Sequence, residues 1–120
     1  MRPAMERRRD PRYQMGEGAI AVLAHNPGHL RDISMGGISF VYIHNKEPDH
    51  DGDTVDIVDG SNAFFLEELP CRVVAKRLLI NEALFSMMRM VHCSLQFGTL
   101  TQVQQAALAT YLHRHARPLA

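Results

Sequence analysis

Short apolar runs separated by turn-forming residues are the feature that most restricts how this chain can fold. The clearest run is MVHCSLQF (90–97), in which apolar and polar residues alternate without a break from Val91 onwards. Similar runs are AIAVLAH (19–25), ISFVYIH (38–44), TVDIV (54–58), AFFLEEL (63–69) and CRVVAKRLL (71–79), the last two separated by Pro70. Alternation places successive side chains on opposite faces of a β-strand, and the turn signals HNPGH, NKEPDHDGD and DGSN fall between the runs. The pattern predicts an all-β fold, with five to seven short strands in an antiparallel barrel or sandwich.

The end of the chain follows a different, helical pattern. In TQVQQAALATYLHRHA (101–116), apolar residues recur at spacings of three and four, as on the buried face of an amphipathic helix. Thr101 and Gln104 have the spacing of a capping box, in which each side chain bonds the backbone N–H of the other residue. Pro118 opposes further extension of the helix. The sequence therefore predicts a single C-terminal α-helix that packs against one face or mouth of the barrel.

Length and composition indicate one domain. A chain of 120 residues, of which 46% are hydrophobic, is long enough for a single buried core. The sequence has no run of 18 apolar residues that could span a membrane, and its N-terminus lacks the apolar stretch of a secretory signal. Cys71 and Cys93 lie inside apolar runs, which favours buried thiols in a reducing compartment. We therefore expect one cytoplasmic domain over residues 1–120 that does not bind membranes, with an arm over 1–12, a barrel over 19–97 and a helix over 101–116.

Charge is distributed unevenly along the chain, although 13 basic and 13 acidic residues leave no formal net charge. Residues 1–12 contain five arginines against two acidic residues, whereas residues 47–59 contain six acidic residues and no basic one. An arginine-rich terminus with little apolar surface to bury is either a solvated, flexible arm or a segment that binds an anion. Charge alone leaves both interpretations open.

Residue patterns typical of enzymes and metal sites do not occur in the sequence. It contains no G-x-S-x-G, G-x-G-x-x-G or P-loop pattern, and its seven histidines do not have zinc-ligand spacing. DHDGD (49–53) is similar to the start of a calcium loop, but Thr54 and Gly60 occupy the positions of the loop glycine and the final glutamate. We therefore predict a protein that is not an enzyme, with no catalytic residues, no metal ligands and no cofactor.

The segment RDISMGG (31–37) combines a carboxylate, a hydroxyl and two glycines. Asp32 and Ser34 are two residues apart, so on a strand they would project from the same face. Gly36 and Gly37 permit a turn with positive φ, or a close approach of the backbone to something outside. A purely structural interpretation also stands, because Asp, Ser and Gly are common in turns.

Two motifs in a fixed order link the basic arm to this segment. Arg8 and Arg12 form R-x-x-x-R. About twenty residues later, Asp32, Ser34 and Gly37 form D-x-S-x-x-G. With an all-β middle and a C-terminal helix, the chain resembles the PilZ domain family of bacterial cyclic di-GMP receptors.

The resemblance implies a six-stranded antiparallel barrel, with a flexible basic arm that lies across it once ligand is bound. LPCRVV (69–74) and CSLQFGTLTQVQ (93–104) are similar to the later strands and helix start of single-domain PilZ proteins, so the resemblance extends from about residue 6 to about residue 111. It also implies a non-catalytic receptor that passes its signal to an unidentified downstream protein. A PilZ-fold interaction adaptor without a nucleotide ligand is the alternative. Binding of nucleic acid by the arm is a third function, which we do not expect.

The residues that the resemblance implies for ligand binding belong to the arm and the polar turn. They are Arg7, Arg8, Arg9, Arg12, Asp32, Ser34, Gly36 and Gly37. Guanine presents N7 and O6 acceptors that an arginine fork matches, and phosphate oxygens match the same fork. Asp32 would accept from guanine N–H groups, Ser34 would bond a phosphate or a base, and Gly37 would leave room for the ligand. In similar PilZ domains an arginine directly before R-x-x-x-R, here Arg7, goes with an intercalated pair of cyclic di-GMP molecules, so we expect two ligands per chain.

Overall fold

Strands make up most of the structure, a computed structural model that describes residues 12–14, 18–44, 53–79, 89–115 and 117–118. The strands in these ranges are β1 (Tyr13–Gln14), β2 (Ala19–Leu23), β3 (Asn26–Ile33), β4 (Gly37–His44), β5 (Thr54–Asp59), β6 (Phe64–Leu79), β7 (Arg89–Phe97) and β8 (Arg117–Pro118). A 3-10 helix (Gly60–Asn62) follows β5, and the helix α1 (Gln102–His115) follows β7.

The strands form one antiparallel sheet that closes on itself. The order in the sheet is β2-β5-β6-β7-β4-β3, and a further pairing of β2 with β3 completes a six-stranded barrel. The short strands β1 and β8 extend the sheet beside β3. The predicted six-stranded barrel with one C-terminal helix is confirmed in the part of the chain that the structure describes.

The alternation predicted for β7 agrees with its burial. Val91, Cys93 and Leu95 are buried, whereas His92 and Ser94 are partly exposed. The buried residues join a core that includes Leu30, Ile33, Ile38, Phe40, Ile57 and Leu69 from the other barrel strands. One face of β7 therefore fills the barrel, and the other face contributes polar side chains to its outer surface.

The two cysteines lie in this core and do not form a disulfide bond. Cys93 is fully buried and Cys71 nearly so. Burial, with a smaller contribution from the negative charge of Asp53, raises the pKa of Cys71 to about 11. A thiol with a raised pKa is a poor nucleophile, so Cys71 acts as an apolar core residue.

The main departure from prediction is β3, which begins at Asn26 inside the segment HNPGH that was expected to be a turn. The turn consists instead of Ala24 and His25, with φ values of 50° and 69°. Positive φ at both central residues is the geometry of a type I′ hairpin, in which Asn-Gly is the usual sequence. Gly28 is needed inside β3, because a Cβ there would lie 2.6 Å from Phe40 Cδ2. The proline and glycine of this segment therefore belong to a strand, and the hairpin lacks its usual sequence signature.

A second departure concerns β6, which is a single strand of 16 residues where the sequence predicts two strands separated by Pro70. Pro70 pairs with Thr54 of β5, and Cys71 pairs with Phe97 of β7. The carbonyl of Pro70 accepts a hydrogen bond of 2.7 Å from the Gly98 N–H. A strand tolerates proline where no neighbouring strand needs its missing N–H. Here β6 changes its partner at the proline and continues.

The helix α1 is capped as predicted. Thr101 Oγ1 accepts a hydrogen bond of 3.0 Å from the Gln104 N–H, and the Thr101 N–H donates one of 2.9 Å to Gln104 Oε1. This reciprocal pair confirms the capping box. Leu108 and Leu112 of the following turns are buried in the core. Among the described residues, no helix is long and apolar enough to cross a membrane.

Tyr111 anchors α1 to the end of β5. Its hydroxyl donates a hydrogen bond of 2.5 Å to Asp59 Oδ2, and its ring stacks on Phe64 with 3.9 Å between the ring centroids. Asp59 also accepts hydrogen bonds from the Asn62 side chain and the Ser61 N–H. Burial acts to raise the pKa of Asp59, but these hydrogen bonds outweigh it, so the pKa lies below its ordinary value. A well-bonded carboxylate thus holds the helix to the barrel.

Candidate functional site

The D-x-S-x-x-G motif forms the turn between β3 and β4. The Ser34 N–H donates to the Gly37 carbonyl at 2.8 Å, and Ser34 Oγ accepts from the N–H groups of Gly36 and Gly37 at 3.0 and 3.2 Å. Because β3 ends at Ile33, Ser34 lies in the turn and its side chain is buried there. The hydroxyl therefore holds the turn together. Asp32 and Ser34 do not form the shared strand face that their spacing predicts.

The two glycines of this turn serve a close contact between strands. Neither has a positive φ, so of the two roles that glycine permits here, the positive-φ turn is not the one observed. Gly37 pairs with Gln96 of β7, and a Cβ at this position would collide with the carbonyl oxygen of Leu95. The Gly36 carbonyl accepts a hydrogen bond of 2.8 Å from the Phe97 N–H. At position 37 glycine is required because the turn lies directly against β7. The backbone of this turn therefore closely approaches another strand of the barrel, not something outside it.

Asp32 has one bonded and one unbonded carboxylate oxygen. A bulge between Leu30 and Asp32 places Asp32 opposite Ser39 of β4, and Ser39 Oγ donates a hydrogen bond of 2.8 Å to Asp32 Oδ2. The other oxygen, Oδ1, is buried and has no hydrogen-bond partner among the described residues. An unsatisfied buried acceptor of this kind destabilises the fold by about 1–3 kcal/mol. Asp32 Oδ1 is therefore an acceptor without a donor among the described residues, and a ligand N–H reaches it only after the groups that cover it move aside.

Arg12 lies beside this unbonded oxygen. Its Nη1 is 3.7 Å from Asp32 Oδ1, which is an ion-pair distance but too long for a hydrogen bond. β1 follows Arg12 directly, and Gln14 of β1 pairs with Asp32 of β3. The Arg12 side chain is 44% exposed, so the pair lies at the surface of the protein. The structure thus brings together the second arginine of R-x-x-x-R and the aspartate of D-x-S-x-x-G.

The other arginines predicted for ligand binding, Arg7, Arg8 and Arg9, lie outside the described residues. The predicted flexibility of the arm also falls there, apart from Arg12 itself. The ligand-binding role of these three arginines and the flexibility of the arm therefore remain predictions.

Two serines that the sequence analysis did not single out extend the polar surface from Asp32. Asp32, Ser39 and Ser94 pair in succession across β3, β4 and β7. Paired residues in neighbouring strands project from the same face of a sheet. Ser39 is a single polar residue inside the apolar run ISFVYIH, and only the pairing of the strands reveals that it supports Asp32.

A shallow groove of about 440 Å³ lies elsewhere, between α1 and the turn after β5. Phe64, Ala107 and Tyr111 line it together with Arg114 and His115. No ligand residue predicted from the described part of the chain contributes to it. The groove belongs to the surroundings of the helix anchor and not to the polar site.

Comparisons with solved structures agree with the observed barrel. The chain is similar to MrkH of K. pneumonia in complex with c-di-GMP, with a TM-score of 0.66 and 17% identity over 88% of this chain and 51% of MrkH. It is also similar to YcgR of Escherichia coli in complex with c-di-GMP, with a TM-score of 0.63 and 15% identity over 89% of this chain and 45% of YcgR. This chain therefore spans about half the length of these two proteins.

A third structure, the PilZ domain of Escherichia coli YcgR with c-di-GMP, matches over most of both chains. The TM-score is 0.58 and the identity 16%, over 90% of this chain and 92% of that domain. No curated protein matches the chain in sequence. The family model of the PilZ domain matches residues 6–114, which is nearly the whole chain. This protein belongs to the PilZ domain family.

Proposed function

We propose that this protein is a non-catalytic, cytoplasmic receptor for cyclic di-GMP, which binds on the outer face of the barrel between the R-x-x-x-R arm and Asp32. The observation that carries the proposal is the convergence of the two motifs, with Arg12 Nη1 3.7 Å from an Asp32 oxygen that lacks a hydrogen-bond donor among the described residues. The similarity to MrkH and YcgR, both in complex with c-di-GMP, supports the choice of ligand.

The chemistry of the ligand fits this pair of side chains. Guanine carries N–H donors on one edge and the N7 and O6 acceptors on another. Asp32 Oδ1 accepts from the donor edge, and the Arg12 fork binds the acceptor edge or a phosphate. The Arg12–Asp32 contact is long, and an ion pair of this exposure contributes only about 0–1 kcal/mol. Exchanging it for charge-assisted bonds to the ligand is therefore favourable.

The remaining motif residues have supporting or additional roles in this proposal. Ser34, Gly36 and Gly37 hold the β3–β4 turn against β7, which fixes Asp32 at the end of β3. Arg8 provides the second main guanidinium, with Arg7 and Arg9 beside it. With Arg7 before the motif, we propose that an intercalated pair of cyclic di-GMP molecules binds, and that the occupied receptor contacts a downstream protein.

Calorimetric titration of the full chain with cyclic di-GMP tests the proposal, with GTP and a linear dinucleotide as competing ligands. The wild type should bind the cyclic dinucleotide with a stoichiometry of two and discriminate against both controls. Arg12→Ala should weaken binding about 10- to 100-fold, as expected for loss of an arginine–guanine contact of about 1–3 kcal/mol. Arg12→Lys should also bind poorly, since a point charge does not replace the planar fork.

Arg114→Ala is the matched control, because Arg114 is an exposed arginine of α1 outside the polar site. Its affinity should equal that of the wild type. A wild type that binds no cyclic di-GMP would overturn the receptor function in favour of the interaction adaptor. Binding that weakens steeply with salt and shows no preference for guanine would indicate a nucleic-acid-binding arm.

A further inference from the structure

The outer face that carries Asp32 continues across β7 and β6. Ser94 of β7 follows Ser39 in the row of paired residues that starts at Asp32. Two residues before Ser94, His92 pairs with Arg77 of β6. Residues two apart in a strand share a face, so His92 and Arg77 lie on the same outer surface as Asp32. The Arg77 side chain is exposed and that of His92 is half-buried.

The spacing of the strands places this pair at a useful distance from Asp32. Neighbouring strands lie about 4.8 Å apart and a strand rises about 3.4 Å per residue. Two strands across and two residues along therefore separate the Cα atoms of Asp32 and His92 by roughly 12 Å. That is too far for the guanine bound at Asp32 to reach. At this distance, His92 would instead contact the opposite end of the same dinucleotide, or the second molecule of the intercalated pair.

The charges around His92 are mainly positive. Arg77 approaches it from β6, Arg31 and Asp32 from β3, and Arg12 from the residue before β1. On the β4 side its paired neighbour is Val41, which carries no charge, and beyond Val41 lies His29 of β3. Among the described charges that act on His92, three are arginines and one is a carboxylate. Such an excess of positive charge on one face attracts a polyanion.

We propose that His92 and Arg77 form a phosphate subsite of the cyclic di-GMP site, and that His92 takes up a proton when the ligand binds. This inference rests on the proposed function and adds a residue pair outside both motifs. Arg77 binds a phosphate oxygen through its fork, and the protonated imidazole donates a second, charge-assisted hydrogen bond. No covalent step is involved, since the proton comes from solvent and remains on the ring.

The electrostatics of the free protein support this proton uptake. Burial lowers the pKa of His92, and the positive charge of Arg77 lowers it further. Asp32 opposes this shift, while Arg31 and Arg12 each add a smaller lowering effect. His92 is therefore neutral in the free protein at neutral pH. Phosphates placed among these arginines offset their charge and raise the pKa. A group whose pKa rises on binding makes the ligand bind more tightly as the pH falls.

Calorimetry measures how proton uptake is coupled to the binding of cyclic di-GMP. The titrations compare the wild type, His92→Gln and Arg77→Gln between pH 6 and pH 8, in two buffers of different ionisation enthalpy. The wild type should take up protons on binding, and its affinity should rise about fivefold from pH 8 to pH 6, less than the tenfold that accompanies one unit of pKa change. His92→Gln should lose most of this proton uptake and pH dependence. Arg77→Gln should weaken binding about tenfold, as for loss of a charge-assisted contact. His113→Gln, an exposed histidine of α1, is the matched control and should behave like the wild type.

NMR titration of the His92 imidazole in the wild type, with and without ligand, tests the same point without any substitution that could disturb folding. The pKa of His92 should rise when cyclic di-GMP is added. An unchanged His92 pKa, or full proton uptake in His92→Gln, would overturn the subsite while leaving the receptor function intact. A wild type without affinity for cyclic di-GMP would instead overturn the receptor function.

Discussion

Asp59 and Asp32 are both aspartates at the ends of barrel strands, but they differ in the hydrogen-bond donors that their carboxylate oxygens have. Asp59 is 4% exposed, and both of its oxygens accept hydrogen bonds from protein donors, namely Tyr111, Asn62 and Ser61. Asp32 accepts one hydrogen bond, from Ser39, while its Oδ1 has no hydrogen-bond partner in the part of the chain that the structure describes.

This difference assigns Asp59 to the stability of the fold and Asp32 to ligand binding in the proposed function. A buried carboxylate whose partners are all in the chain contributes to the fold, and its loss leaves those partners without an acceptor. A carboxylate with an unbonded oxygen has less to lose from substitution in the free protein and more to gain from a ligand. The following substitutions test this distinction.

The largest effect on the protein itself should come from Asp59→Ala. The change leaves the Tyr111 hydroxyl and the Asn62 amide without their acceptor, so the free energy of unfolding should fall by about 3 kcal/mol and the Tm by about 10 °C. Urea and thermal unfolding measure both quantities, with the exposed Asp53→Ala as control. Below its Tm, the variant should still bind cyclic di-GMP like the wild type. A loss of less than 1 kcal/mol would mean that Asp59 does not anchor α1.

Asp32→Ala should have the opposite effect, a large loss of affinity with little change in stability. Affinity for cyclic di-GMP should fall about 10- to 100-fold, because hydrogen bonds to a charged acceptor contribute about 1.5–3 kcal/mol. The free energy of unfolding should change by less than about 1 kcal/mol, because loss of the Ser39 hydrogen bond is offset by removal of the unbonded Oδ1. The Arg12 ion pair, which is also lost, is long and partly exposed. Measuring Tm and affinity on the same variant distinguishes the roles. Lower stability with unchanged affinity would make Asp32 a structural residue like Asp59.

The smallest effect is a pH dependence of stability that Asp59 should show. Its pKa is lowered from 3.8 in the folded protein, so the unfolded chain takes up the proton first as the pH falls. The contribution of Asp59 to stability is therefore complete above about pH 4 and is lost as the pH falls through the lower, folded pKa. Tyr111→Phe removes one of the hydrogen bonds that lower this pKa, so it should weaken the acid dependence. Equal acid dependence in the two proteins would show that this bond does not set the pKa.

Local periodicity was sufficient to predict those elements whose structure depends on their own sequence. The alternation of β7 and the Thr101–Gln104 capping box are both observed. β3 and the continuous β6 could not be predicted in the same way, because proline and glycine normally interrupt strands. Their positions are explained only by the neighbouring strands: Gly28 fits against Phe40 of β4, and Pro70 lies where β6 changes partner.

The residues of the candidate site likewise fall into those that the sequence identified and those that only the structure reveals. The motif spacing identified Arg12 and Asp32, which the structure places together. It did not identify Ser39, which bonds Asp32, or the Arg77–His92 pair. These residues are polar positions on strands, and their nearness to Asp32 depends on strand register, which a single sequence does not contain.

The pairing of β1 with β8 sets the order in which this site can assemble. The two short strands come from opposite ends of the described chain, and contacts between distant residues form late in folding because closing a long loop is entropically unfavourable. Two residues per strand give this contact few hydrogen bonds, so it belongs to the part of the structure that opens most readily. β1 is held by two-residue pairings with β3 and with β8. On heating, the chain should therefore lose its hold on Arg12, and with it the contact between Arg12 and Asp32, while the barrel is still folded.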